Sequence, residues 1–289
     1  MSGTAWVREE SALVTFARNV STRYLAIAVN AVMGLVVLPL NVRYLGASAY
    51  GLWMLTASIT TYFSILELGY GSAVVKFVAE YRARKDPRAL NEILCTLFTV
   101  FTIMGVIAYG VALVVAAFMP LIFNLDPSQV STGRTILLII AANVTLHFIC
   151  SVYGGVVNGF QLYYVNNVIG TVTTIVGAVV NVLVLWLGYG LVELVAATTL
   201  VRMAPYYLYR RNAKLAFPEL SLRFSGFKHE RLREVTGFSI YLAIIDWSSK
   251  LAFMTDTFIL GVFLNTTVVG IYAVAQRLAD ALLRMTHQL

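Results

Sequence analysis

TILLIIAANVTLHFICSVYGGVVNGFQLYYVNNVIGTVTTIVGAVVNVLVLWLGYGLV, Thr135 to Val192, is 58 residues long and contains no Asp, Glu, Lys or Arg. A single helix of that length would extend roughly 87 Å at 1.5 Å rise per residue, against a bilayer core about 30 Å thick. The stretch must therefore turn back within a membrane. Gly and Asn supply turn conformations. They place the breaks at Asn158 to Gln161, with Asn166 and Asn167 beside them, and at Gly188-Tyr189-Gly190.

Working outward, Tyr24 to Val42 and Tyr50 to Leu66 hold no Lys, Arg or Asp, and Ile93 to about Met119 is equally apolar. The fourth span ends near Val157, the fifth covers Val168 to Leu187 and the sixth Leu191 to Tyr209. A seventh runs from about Thr236 to Phe263 and an eighth starts at about Thr267. The expectation is an all-α polytopic membrane protein of about eight transmembrane helices. Pro39 and Pro205 are expected to kink the first and sixth spans. Composition agrees: 12% of residues are charged and mean hydropathy is +0.79, whereas soluble domains carry roughly 25% charged residues.

Fourteen of the 21 Lys and Arg lie in Met1 to Arg18, Lys76 to Glu92 and Arg210 to Glu234. Short basic loops stay on the cytoplasmic side, so the amino terminus is expected in the cytoplasm and the chain in the cytoplasmic membrane. The net charge of +7 then reads as loops facing anionic membrane lipid, and no nucleic-acid partner is expected. Cys95 and Cys150 both fall within spans, so no disulfide framework is implied.

The chain also repeats. Leu45-Gly46-Ala47-Ser48-Ala49-Tyr50-Gly51-Leu52-Trp53 and Leu264-Asn265-Thr266-Thr267-Val268-Val269-Gly270-Ile271-Tyr272 share one pattern at an offset of 219 residues, each at a hairpin. Parallel repeats of this kind occur in transporters whose halves rock about a central site. The boundaries follow as a six-helix lobe at 1–209, a basic cytoplasmic linker at 210–234 and an incomplete second lobe at 235–289. Two equal lobes predict a whole of about 438 residues, so these 289 residues alone are expected not to transport.

The first hairpin, followed by Leu66-Glu67-Leu68-Gly69-Tyr70-Gly71-Ser72-Ala73 and Lys76-Phe77-Val78-Ala79-Glu80-Tyr81, resembles the amino-terminal signature of the Wzx-type polysaccharide and oligosaccharide-lipid flippases. These belong to the multidrug/oligosaccharidyl-lipid/polysaccharide exporter superfamily. Thr255-Asp256-Thr257-Phe258-Ile259-Leu260-Gly261 and Gly270 to Leu278 are similar to the pattern that opens the family's second lobe, with Thr257 departing where such sequences commonly carry a basic residue. The resemblance implies translocation of a polyprenyl-diphosphate-linked oligosaccharide for cell-surface polysaccharide biosynthesis by alternating access, with a coupling ion as a further partner.

A diphosphate crossing hydrocarbon calls for cationic side chains, Arg above all for bidentate contact. Arg23, Arg202, Lys250, Arg277 and Arg284 lie within or at the ends of spans, where a charge costs about 2.5 to 3.5 kcal/mol at bilayer centre. Lys250 stands at mid-span with Asp246 one turn before it, either a self-neutralising pair or a site for diphosphate or a coupling ion. Arg23 is a snorkelling anchor or a gate. Arg277, Asp280 and Arg284 share one face of the eighth span, and Arg202 reads as an anchor. Two polar stripes, Thr56, Thr60, Ser64 and Asn143, His147, Ser151, either glue helices together or contact glycan, and His147 is a candidate proton site.

Other functions fit less well. A membrane-embedded glycan-processing enzyme needs paired carboxylates on a sizeable outer loop, and only Asp126 lies between Pro120 and Arg134. No His/Cys cluster has metal-ligand spacing and no Walker-type loop is present, so neither a catalytic metal nor another cofactor is expected. A multidrug exporter would share the architecture but needs acidic cavity residues, and the first six spans hold only Glu67 and Glu193, both near ends.

Overall fold

Gly46, at φ 79° and ψ 162°, breaks a helical run of 52 residues, α1 (Ala12–Phe63), into two rods. That conformation is open essentially to glycine alone, so a single residue makes the expected first hairpin. Pro39 lies inside the first rod, which keeps helical dihedrals throughout. The computed structural model describes residues 12–63, 67 and 70–286, without the side chains at 12, 242, 246, 249–254, 278 and 280–286. The regular structure of the described residues is helical: α2 (Tyr70–Ala83), α3 (Pro87–Ile122), α4 (Pro127–Gly159), α5 (Tyr163–Trp186), α6 (Leu191–Met203), α7 (Pro205–Ala216), α8 (His229–Phe263) and α9 (Thr266–Thr286).

Local chemistry sets these ends. Asp86 caps α3 by accepting from the Ala89 amide at 2.9 Å, and Pro87 occupies the first helical turn, where its missing N–H costs nothing. The α4–α5 turn passes through Gln161 at φ 64°, and the turn that follows α5 passes through Gly188 at φ 80°. Asn166 and Asn167, expected as turn residues, instead lie within α5. Asn166 donates to the Gly154 carbonyl and to Asn158, and Asn167 donates to Thr22 on α1. Pro205 divides the sixth span into α6 and α7. Pro120 sits inside α3, and its missing N–H leaves the Ala116 carbonyl without its helical partner. The Nε of Arg134, from α4, donates to that carbonyl at 2.8 Å.

α4 packs along α3, where Thr145 donates to the Gly105 carbonyl and Phe101 stacks on Phe148. α5 lies against the first rod of α1, and α9 against the second. Large apolar side chains on α3 (Ile103, Val106, Val114, Leu121) and α5 (Val172, Val179, Trp186) face outward. In water such a band would aggregate; against lipid tails it is the required surface. Among the described residues, four helices, α1, α3, α4 and α5, are long and apolar enough to cross a membrane by length and composition. The chain is an all-α polytopic membrane protein.

At the end carrying the basic stretches, the segment between α7 and α8 is strapped along α3. Asn91 donates to the Glu219 carbonyl and accepts from the Ser221 amide, Cys95 donates to the Ser221 carbonyl, and Thr96 accepts from the Lys228 amide. Cys95 is therefore more than an apolar packing residue, and both cysteines are free thiols. Arg231 then donates to Tyr81, Glu234 and Glu92. Burial, and after it the hydrogen bond to Glu234, pushes the Tyr81 hydroxyl above its ordinary range, so it stays a proton donor.

Candidate functional site

Asn30, Gly34, Val37 and Asn41 follow one another at four, three and four residues, which aligns them on one face of the first rod of α1. Thr174, Gly177, Ala178 and Asn181 do the same on α5, and Thr198 and Arg202 on α6. These faces, with Trp53 from the second rod and Arg277 from α9, line an open-sided cavity of about 480 Å³. Gly34, Gly177 and Ala178 leave the volume open, because none has a side chain large enough to fill it.

The electrostatics are one-sided. Among the described residues, both charged side chains that line the cavity are arginines, and their like charges act on each other. A guanidinium favours an anion carrying several acceptor oxygens. Beside them, the Oδ1 atoms of Asn41 and Asn181 make no hydrogen bond, although the two residues are only 1% and 4% exposed. An unfilled buried acceptor is costly. Asn30 differs, since it accepts from Thr174 at 3.1 Å and is thereby fixed in place.

The residues singled out in the sequence scatter relative to this cavity. Arg277 is on its wall. Arg202, read as an anchor, is there too, because α6 carries its charge one turn beyond Thr198 toward the cavity. Arg23 is exposed on α1 beside Thr22, in the region clipped to α5, away from the lining. Asn143 and His147 face α7: the Asn143 carbonyl accepts from Tyr206, and the His147 ring lies 6.3 Å from the Tyr206 ring. Thr56 and Thr60 direct their hydroxyls to carbonyls of their own helix, as packing hydroxyls do. Ser64, and the side chains of Asp246, Lys250, Asp280 and Arg284, lie outside the described residues. Asn30, Asn41 and Asn181 went unremarked in the sequence, although an amide inside an apolar span is a signal in itself.

A family described as polysaccharide biosynthesis protein matches residues 16–286. The chain belongs to that family. No curated protein matches it. A solved chain described as protein A superposes with a TM-score of 0.67 at 17% identity, over 96% of this chain and 62% of that one. A second, described as an inward-facing multidrug resistance MATE family transporter of the MOP superfamily, gives 0.55 at 16%, over 86% and 60%. A third is a MOP superfamily transporter from Pyrococcus furiosus Vc1, described as having a binding pocket of reversed polarity that suggests a different function. It gives 0.53 at 14%, over 93% and 58%. This polysaccharide biosynthesis family chain thus spans about three fifths of the length of these structures, and shares their fold.

Proposed function

We propose that this polysaccharide biosynthesis family chain carries a polyprenyl-diphosphate-linked oligosaccharide from the cytoplasmic to the outer leaflet, with Arg202 and Arg277 receiving the diphosphate. The supporting observation is a cavity whose charged lining residues, among those described, are two arginines and no carboxylate. Asn41 and Asn181 offer acceptors to sugar hydroxyls. The same lining argues against cationic drugs as cargo. In this reading the basic end faces the cytoplasm. Residues 1–209 and 235–289 belong to two lobes joined by 210–234. Lys250, Asp246 and Asp280 extend the pathway on the second-lobe side, where an ion would couple, and Arg23 meets the cargo at the inner leaflet. Asn143 and His147 serve the α4–α7 seam.

The test is translocation of a fluorescent polyprenyl-diphosphate-sugar in proteoliposomes containing the full-length transporter. A charge-assisted hydrogen bond is worth about 1.5 to 3 kcal/mol, roughly tenfold to a hundredfold in affinity. Arg202→Gln and Arg277→Gln are each expected to lose that much cargo affinity, and the arginine-to-lysine variants less. Wild-type affinity and translocation in both glutamine variants would refute the assignment.

A further inference from the structure

The polar groups of the cavity are sorted by depth. At the end away from the basic stretches, Gly46 in the first hairpin, Trp186 at the end of α5, and Leu191 and Thr266 at the starts of α6 and α9 mark one level. Ser48 lies 3.0 Å from Thr266, Leu45 and Ala49 pack on the cluster that holds Leu191, and only a short turn separates Trp186 from Leu191. Measured from that level at 1.5 Å rise per residue, Asn41, Asn181, Trp53 and Thr198 stand about 7 to 11 Å deep. Arg202 and Arg277, each eleven residues beyond the start of its helix, stand about 16 Å deep.

The shallow tier is uncharged and rich in acceptors. Asn41 and Asn181 hold Oδ1 atoms without a hydrogen bond. Thr198 donates to the Leu194 carbonyl at 2.7 Å, which leaves its oxygen to accept. Trp53 adds an indole, a broad apolar face with one N–H donor. Its ring is half-buried and steadied by an edge contact with Tyr50, 6.3 Å between centroids. Asn30, the amide deeper than the arginines, is already engaged, donating to the Ala26 carbonyl and accepting from Thr174.

A neutral pyranose is the complement of such a tier, because its hydroxyls donate and one face of its ring presents C–H groups to an aromatic surface. A carboxylate placed there would bring only further acceptors and a charge without a partner.

We infer that the cavity holds its cargo in one orientation, with the diphosphate on Arg202 and Arg277 and the sugar bonded to it laid on Trp53 in the shallow tier. The inference rests on the diphosphate reading of the two arginines and adds a specificity to it. The sugar next to the diphosphate is a neutral one, and Trp53 is the platform that selects it.

Equilibrium binding to the full-length transporter in nanodiscs tests this with three fluorescent cargoes: a polyprenyl diphosphate without sugar, its glucosyl conjugate and its glucuronosyl conjugate. Wild type is expected to bind the glucosyl cargo at least tenfold more tightly than either of the others. Trp53→Leu, which keeps an apolar side chain in the wall, should bring both ratios to within twofold of one, and Trp53→Phe should restore most of the preference. Asn181→Leu tests the tier without touching the indole and should lower the ratios at least threefold. Arg277→Gln should weaken all three cargoes and keep the ratios. A Trp53→Leu protein with the wild-type ratios would overturn the platform, and so would a wild type that binds the three cargoes equally. Wild-type affinity of Arg277→Gln for all three would sink the diphosphate assignment instead, and with it the orientation, while the ratios in the Trp53 variants would still report on the platform.

Discussion

Asn41 and Asn181 each hold an amide oxygen that is buried and without a hydrogen bond, which costs stability. A side chain of similar size without polar atoms removes the orphan acceptor. Asn181→Leu is therefore expected to raise the detergent melting temperature by a few degrees, reflecting about 1 to 2 kcal/mol, while lowering translocation of a sugar-bearing cargo. A thermal melt and a transport assay on one preparation check both halves, and a destabilised, fully active variant would contradict the site. These residues were readable as amides in apolar spans. Their convergence was not readable, because Asn30 and Asn181 lie 151 residues apart and only helix packing brings them to one cavity. Arg202 shows the same limit, since distance along a span does not say which way a side chain turns.

Proline explains much at the scale of elements. Pro120 leaves the Ala116 carbonyl to Arg134, so Arg134→Ala is expected to cost about 1 to 2 kcal/mol. Pro120→Ala supplies an N–H of its own. In a double-mutant cycle the second change should recover much of the loss, and strict additivity of the two would rule out the pairing. α7 runs past Tyr209, and Pro218 explains why it stops at Ala216, since the residue before a proline is driven out of the helical region. The 210–234 stretch accordingly holds helix at both ends around an irregular strap at 217–228 that includes a single 3₁₀ turn at Phe224–Gly226. Removing its tie to α3 with Asn91→Ala should speed proteolysis within 217–228 several-fold and leave α3 and α4 uncut. Equal cleavage rates would show that the strap is held elsewhere.

The whole molecule is organised by charge at its ends and by small residues at its centre. Cysteines at Lys85 and Asn212 are expected to label from one face of a sealed membrane, and a cysteine at Ser128 from the other. Labelling of Lys85 and Ser128 from the same face would end the topology. The membrane class, the sites of the main turns and the 219-residue repeat were all legible in the sequence, because hydrocarbon imposes its rules on every residue locally: charge is excluded, backbone groups pair within a helix, and Gly46 and Gly188 mark turns. The tertiary structure alone decided that Gly51 meets Gly270, that Trp53 joins Asn41 and Asn181 on the wall of one cavity, and that Arg202 and Arg277 share it. Those contacts depend on the rotation of one helix against another. That rotation is set by packing summed over whole faces, and no local stretch of sequence carries it.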